Sequence, residues 1–323
     1  MQTGGPFLVG GWAACFAIDR VRSAPVRLTQ LPLQISKADR PEVPLGIESP
    51  SSHCKARTAR KDPALLDTPM AKDSKQTDFL KPLWSTLFGP PWFVSLLLFA
   101  VVAAIRFFVI FSPWPLQELF FAQTLLLWAT PYLFLTRTGR HQIGLTSNGV
   151  TPASMLLSAL AGAAAGLIFF LLGIAIYGHS PDSWCISIRN YLHFEELRGL
   201  FPPLGLFALF ALPAMFLNPI GEEILFRGLI QQTFAKRFNP AVAVLANSLL
   251  FGLLYLYIHG IWQDDHAFHI RVASAALAVF LMTCIGSLFT LCRTLSGSLW
   301  PAVAAHAAFN LALLAAAIRE FAR

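Results

Sequence analysis

The chain has 323 residues, of which 13% are charged and 55% hydrophobic, with 28 phenylalanines and a net charge of +7, and its mean hydropathy is +0.59. Soluble domains are about 25% Asp, Glu, Lys and Arg, so a soluble globule is excluded, as are disorder for most of the chain and rod-like repeats. What remains is an all-α, polytopic transmembrane helix bundle; the basic balance fits cytosolic loops, and no recognition motif speaks for nucleic acid.

Residues 1–80 are rich in Pro, Ser, Lys and Arg and show no sustained period. They read as a disordered N-terminal extension ahead of a membrane domain over 81–323. The apolar stretch Pro6–Ile18 is too short to span and lacks a basic flank, so a cleaved signal is disfavoured. Met70 opens MAKDSKQTDFLKPLW, an ordinary start before a first membrane helix, and residues 1–69 are then dispensable. Cys15, Cys54, Cys185, Cys284 and Cys292 form no CxxC pair and suggest neither a disulfide framework nor a zinc knuckle.

A bilayer core about 30 Å thick needs about 20 apolar residues. Seven segments qualify: Trp92–Phe111, Leu116–Leu135, Pro152–Tyr177, Leu204–Phe234, Ala241–His259, Ala273–Cys292 and Ser298–Ile318. The third holds SALAGAAAG, the small-residue pattern of close-packed membrane helices. With the N-terminus in the cytosol, the inner loops carry Arg137, Arg140, Lys236, Arg237 and Arg293. The outer ones carry Arg189, Arg198 and Arg271 among Asp182, Glu195, Glu196, Asp264 and Asp265. The Lys/Arg bias therefore sets the N-terminus inside.

The fourth segment contains Gly221-Glu222-Glu223-Ile224-Leu225-Phe226-Arg227-Gly228. A charge at mid-membrane costs about 2.5–3.5 kcal/mol, and such groups normally face a protein-lined cavity and act there. Glu223 and Arg227 stand at i, i+4 and can pair. Glu222 points about 100° away round the helix, toward a water for instance. The alternative is a helix that ends near Asn218, at Pro219, with its charges at the interface. In the last segment, His306 and Asn310 share a face of a run of Ala and Leu, which favours function over packing.

These residues resemble the CPBP intramembrane proteases, the group of the Rce1-type CAAX prenyl endopeptidases and their bacterial relatives. GEEILFRG matches the EExxxR motif and HAAFN the HxxxN motif, preceded by Leu299-Trp300-Pro301, in the family's order. The resemblance covers about residues 200–318. The middle motif departs from FxxxH: after Phe251, the histidine position holds Tyr255, and His259 follows one turn later. Helical rise weighs the two. Measured from inner helix ends near Ala235 and Pro240, Glu222 lies about 20 Å in, Tyr255 about 22 Å and His259 about 28 Å, which favours Tyr255.

The resemblance implies hydrolysis of a peptide bond of a membrane-associated protein or peptide inside the bilayer. Glu222 would be the general base that activates water. Asn310 with His306 would stabilise the oxyanion, Glu223 and Arg227 would hold the helix, and Tyr255 or His259 would replace the middle histidine. A bacterial inner membrane is the expected location. No cofactor is certain. Zinc held by Glu222, His306 and one further group is the alternative, against a metal-free glutamate mechanism, since zinc needs three protein ligands and no HExxH occurs. The segment from His259 to His269 matches no standard metal site and reads as a solvated loop. No GxSxG elbow supports a serine route. Two other classes stay open: a catalytically idle scaffold or bacteriocin self-immunity protein of the same fold, and a transporter, which would show internal repeats.

Overall fold

A computed structural model describes residues 79–112, 117–146, 149–191, 194–263 and 268–322. The readings of the extension, of Met70, and of Cys15 and Cys54 lie outside the described residues. The membrane body begins no later than Phe79: Phe79 and Leu80 are buried, and Leu80 bridges Leu135 in antiparallel fashion. These two residues, assigned above to the extension, belong to the body.

The helices in chain order are α1 (Pro82–Phe88), α2 (Pro91–Phe111), α3 (Gln117–Leu133), α4 (Arg137–Gln142), α5 (Pro152–Tyr177), α6 (Trp184–Tyr191) and α7 (Phe194–Leu197). Next come the long α8 (Pro203–Arg237) and α9 (Pro240–His259). A hairpin of β1 (Ile261–Gln263) and β2 (Phe268–Ile270) then leads to α10 (Val272–Ser296) and α11 (Trp300–Phe321). Starts follow local chemistry. Proline sits in the first turn of α2, α5, α9 and α11, where no N–H is needed. Thr151 and Ser154 form a capping box at α5.

Among the described residues, six helices are long and apolar enough to cross a membrane: α2, α5, α8, α9, α10 and α11. The second of the seven expected spans is α3, described from Gln117 to Leu133 with Pro131 inside it; Leu135 just past it bridges Leu80 ahead of α2, so α3 returns the chain to the side from which α2 leaves. Leucines exposed along α5, among them Leu156, Leu157, Leu160 and Leu171, present a broad apolar face of the kind soluble proteins rarely expose. The protein is thus an integral membrane helix bundle. The segment read as a solvated loop after His259 is a hairpin, with Ile261 opposite Ile270 and Trp262 opposite His269; Asp264, Asp265 and His266 lie outside the described residues.

Two features position the site. Helix α8 continues through the charged motif rather than ending at Asn218, but two π-helical stretches, Pro213–Leu217 and Ile224–Ile230, interrupt its α-helical winding. The Asn218 N–H reaches back five residues to the Pro213 carbonyl, and that of Gln231 to Phe226. Such turns are rare and cluster at functional sites. The second feature is the contact of α5 with α11. A Cβ on Gly162 would collide with the Ala305 carbonyl, and one on Gly166 with that of Phe309. These glycines, four apart, let the two backbones touch and so seat the helix that carries His306 and Asn310.

Candidate active site

The two glutamates of α8 have different partners. Glu223 Oε1 accepts from Arg227 Nη1 at 2.9 Å and faces His306 Nδ1 of α11, also at 2.9 Å. Arg227 Nη2 donates to the Gly286 carbonyl of α10 at 2.8 Å. Its guanidinium lies over the Phe251 ring, 4.5 Å from the centroid, while the His306 ring stacks on Phe289 at 4.9 Å. Glu223, Arg227 and His306 are all fully buried. Three helices therefore meet at one ion-paired, aromatic-walled node. An opposite charge and fixed donors are what make such burial tolerable.

Glu222 does not stand alone facing water, as the sequence suggested. Its Oε1 accepts from Arg106 Nη2 at 2.7 Å, and its Oε2 accepts from Tyr255 Oη at 3.0 Å. His306 Nε2 is 3.9 Å from the same Oε2. Glu222 is 1% exposed and Arg106 2%. Arg106 comes from α2, outside every motif recognised in the sequence. A lone arginine five residues from the end of an apolar segment passes for a snorkelling side chain. The rule that flags intramembrane charges would have flagged it too.

Tyr255 sits where α9 breaks. The regular helix runs to Leu254, and a short turn from Leu256 to His259 follows, so a rise computed along a straight helix describes this end poorly. His259 is buried among aromatic rings, 5.5 Å from Phe169 and 6.2 Å from Tyr255 between centroids. Among the described residues no hydrogen-bond partner reaches its Nδ1. Of the two candidates for the middle position, Tyr255 is the one that touches Glu222.

Asn310 serves the backbone of α8. Its Nδ2 donates to the Ala214 carbonyl at 3.0 Å, inside the first π stretch. In a π turn that carbonyl would be claimed by the residue five further on, and Pro219 has no N–H to offer. Trp128 Nε1 likewise donates to the Leu217 carbonyl at 3.0 Å. The asparagine of the last motif thus satisfies an acceptor that the proline of the first leaves open.

A partly open cavity of about 160 Å³ adjoins these groups. Arg106, Asn218, Glu222, Tyr255, Tyr257, His259 and Asn310 supply its polar lining, and Phe120, Phe210, Phe309 and Leu313 part of its apolar wall. Tyr257, also absent from the motifs, holds its Oη 3.4 Å from Arg106 Nη1. His306 is not among the lining residues, so it and Asn310 do not face the cavity side by side as the oxyanion reading implied. The donors do not fit zinc. A guanidinium occupies Glu222 Oε1, Nδ1 of His306 is held by Glu223, and among the described residues no three His, Cys, Asp or Glu side chains converge where zinc would need three.

Residues 204–312 match the Rce1-like family, described as type II CAAX prenyl endopeptidase Rce1-like. No curated protein and no solved structure matches the chain. The matched segment contains Glu222, Glu223, Arg227, Tyr255, His259, His306 and Asn310, and leaves Arg106 outside. It is consistent with the CPBP resemblance of the motifs and, at the coarse level, supports a peptidase.

Proposed function

We propose that the protein is an intramembrane endopeptidase that hydrolyses a peptide bond of a membrane-associated protein or peptide, with Glu222 as general base. The observation that carries this reading is the Glu222 carboxylate. It is buried at a cavity wall, one oxygen on Arg106 at 2.7 Å and the other 3.0 Å from Tyr255 Oη and 3.9 Å from His306 Nε2. The last separation is too long for a direct hydrogen bond and suits a water bonded to both groups from the side.

In this mechanism the water gives a proton to Glu222 Oε2 as its oxygen bonds to the scissile carbonyl carbon. The tetrahedral oxyanion takes hydrogen bonds from the Asn310 amide N–H not used by Ala214 and from Tyr255 Oη, whose one O–H turns away from Glu222 Oε2 once that oxygen has taken the proton. Fixed donors in a dry site of this kind contribute about 3–4 kcal/mol each. Collapse of the intermediate breaks the C–N bond, and the proton on Glu222 passes to the leaving amine. Tyr255 acts as donor only, since a phenol is a poor base near neutrality. The apolar wall of Phe120, Phe210, Phe309 and Leu313 suits apolar substrate side chains. The Lys/Arg bias supports a cytosolic N-terminus, and a bacterial inner membrane is the location that goes with this reading.

A second reading has an observation of its own. Tyr255 stands where the resembled family has histidine, and Arg106 occupies one oxygen of the base, as in a catalytically idle scaffold. Wild-type protein in lipid vesicles, offered a library of membrane-anchored peptides, separates the two. New termini found by mass spectrometry, with one oxygen of labelled water in each new carboxyl group, support the peptidase. Absence of cleavage across the library supports the scaffold.

A further inference from the structure

We propose that Arg106 is the positioning residue of this site: its guanidinium, delivered from α2, keeps Glu222 ionised and fixes which of its oxygens is left for Tyr255, His306 and the reacting water. The charges give the first reason. Glu223 already has a cation on its own helix, Arg227 at 2.9 Å. Without Arg106 the node would hold two buried carboxylates and one arginine, and an uncompensated buried charge is strongly unfavourable. With Arg106 two carboxylates face two guanidiniums.

Geometry gives the second reason. Arg106 binds Glu222 through Nη2 to Oε1 alone, so Oε2 stays with Tyr255 Oη on the side facing His306 Nε2. The guanidinium is itself held: Nη1 lies 3.4 Å from Tyr257 Oη, and its carbon sits 5.4 Å from the Phe120 ring centroid. Tyr257 lies two residues past the break in α9 at Tyr255, and Phe120 comes from α3. Three helices thus fix a cation that holds the carboxylate of a fourth. Arg106 and Glu222 both line the cavity, so the pair stands at the wall where a substrate would lie. The alternative is a purely structural tie between α2 and α8.

The inference rests on the peptidase reading for its kinetic consequence only; the charge state of Glu222 can be read without turnover. The test uses the full chain in lipid vesicles as wild type, Arg106→Gln, Arg106→Lys and Glu222→Gln. It records kcat, KM and the infrared signal of the carboxyl group that Glu222→Gln removes. Arg106→Gln is expected to convert that signal from carboxylate to carboxylic acid. The same variant should lower kcat about 100-fold with KM within about twofold, the size of losing one charge-assisted bond. Arg106→Lys is expected to restore the carboxylate signal and to bring kcat back to about tenfold below wild type, since a lysine supplies the charge without the planar fork. A carboxylate signal that persists in Arg106→Gln, or an unchanged kcat in that variant, would overturn the proposal. If Arg106→Gln does not insert, Arg106→Lys decides: a retained carboxylate with about tenfold lower kcat supports the positioning role, and wild-type kcat or a lost carboxylate refutes it. A wild type that cleaves nothing removes the peptidase reading, and the infrared comparison still decides the role of Arg106.

Discussion

His306 Nδ1 lies 2.9 Å from Glu223 Oε1, so the histidine of the last span is bonded to the second glutamate of the α8 motif, not to the first. This joins the two motifs into one buried unit and divides the labour between the carboxylates. Glu223 is enclosed by Arg227 and His306 on the side away from the cavity. Glu222 stands at the cavity wall with Arg106 and Tyr255.

The Glu223–Arg227 pair should therefore matter for folding before it matters for chemistry. Arg227→Met leaves Glu223 buried without its guanidinium. Breaking a buried pair from one side costs about 3–5 kcal/mol, and thermal unfolding in detergent should show a loss of that order. The double variant Glu223→Gln with Arg227→Met should recover part of it, since neither charge is then stranded. Equal stability of Arg227→Met and wild type would mean that the pair contributes nothing.

Tyr255 and His259 make opposite predictions. Tyr255→Phe removes a hydroxyl that donates to the Glu222 carboxylate at 3.0 Å. A hydrogen bond to a charged group is worth about 1.5–3 kcal/mol, so cleavage should slow by about 10- to 100-fold. His259→Phe keeps the ring contacts with Phe169 and Tyr255 and should change the rate by less than about threefold. Rates measured side by side check both; a large loss in His259→Phe would move the middle role one turn along the chain.

Asn310 and Pro219 should be coupled. Asn310→Ala leaves the half-buried Ala214 carbonyl without its donor, at a cost of about 1 kcal/mol, the lower end of the range for an unsatisfied acceptor. Pro219→Ala supplies an N–H five residues on. The double variant should be more stable than the sum of the two single changes by about 1 kcal/mol. Its cleavage rate should stay low, because the oxyanion donor is still missing. Strict additivity in a thermal-stability cycle would argue against the link.

The close approach of α5 and α11 predicts that Gly162→Val is severe. A side chain there meets the Ala305 carbonyl, one residue from His306. The helix must move away, and overpacking of this kind costs about 1–3 kcal/mol. Unfolding temperature and cleavage should fall together, whereas Ala163→Val, on the neighbouring position, should leave both near wild type.

How much of this was legible in the sequence depended on the physical signal each part leaves. Hydropathy and length mark membrane helices directly, and charges in an apolar run expose Glu222, Glu223 and Arg227. The i, i+4 spacing of Glu223 and Arg227 foresaw their pair. It could not show that Glu222 is also paired, because Arg106 lies 116 residues away in sequence and pairing across helices has no local pattern. The π stretches were invisible for a related reason. They leave the composition of a helix unchanged, and Pro219, read from the sequence as a possible helix end, was the one mark of irregularity noted there. The hairpin after His259 has three-residue strands, too short for an alternation to be read.

The most direct measurement is the cleavage rate of Glu222→Gln against wild type in the same vesicles, with insertion and unfolding temperature recorded for both. The substitution keeps the shape of the side chain and removes its capacity to take a proton. The account predicts a folded, inserted variant whose rate falls by at least about 100-fold, the lower range of general-base contributions. A folded Glu222→Gln protein that cleaves at the wild-type rate would contradict it.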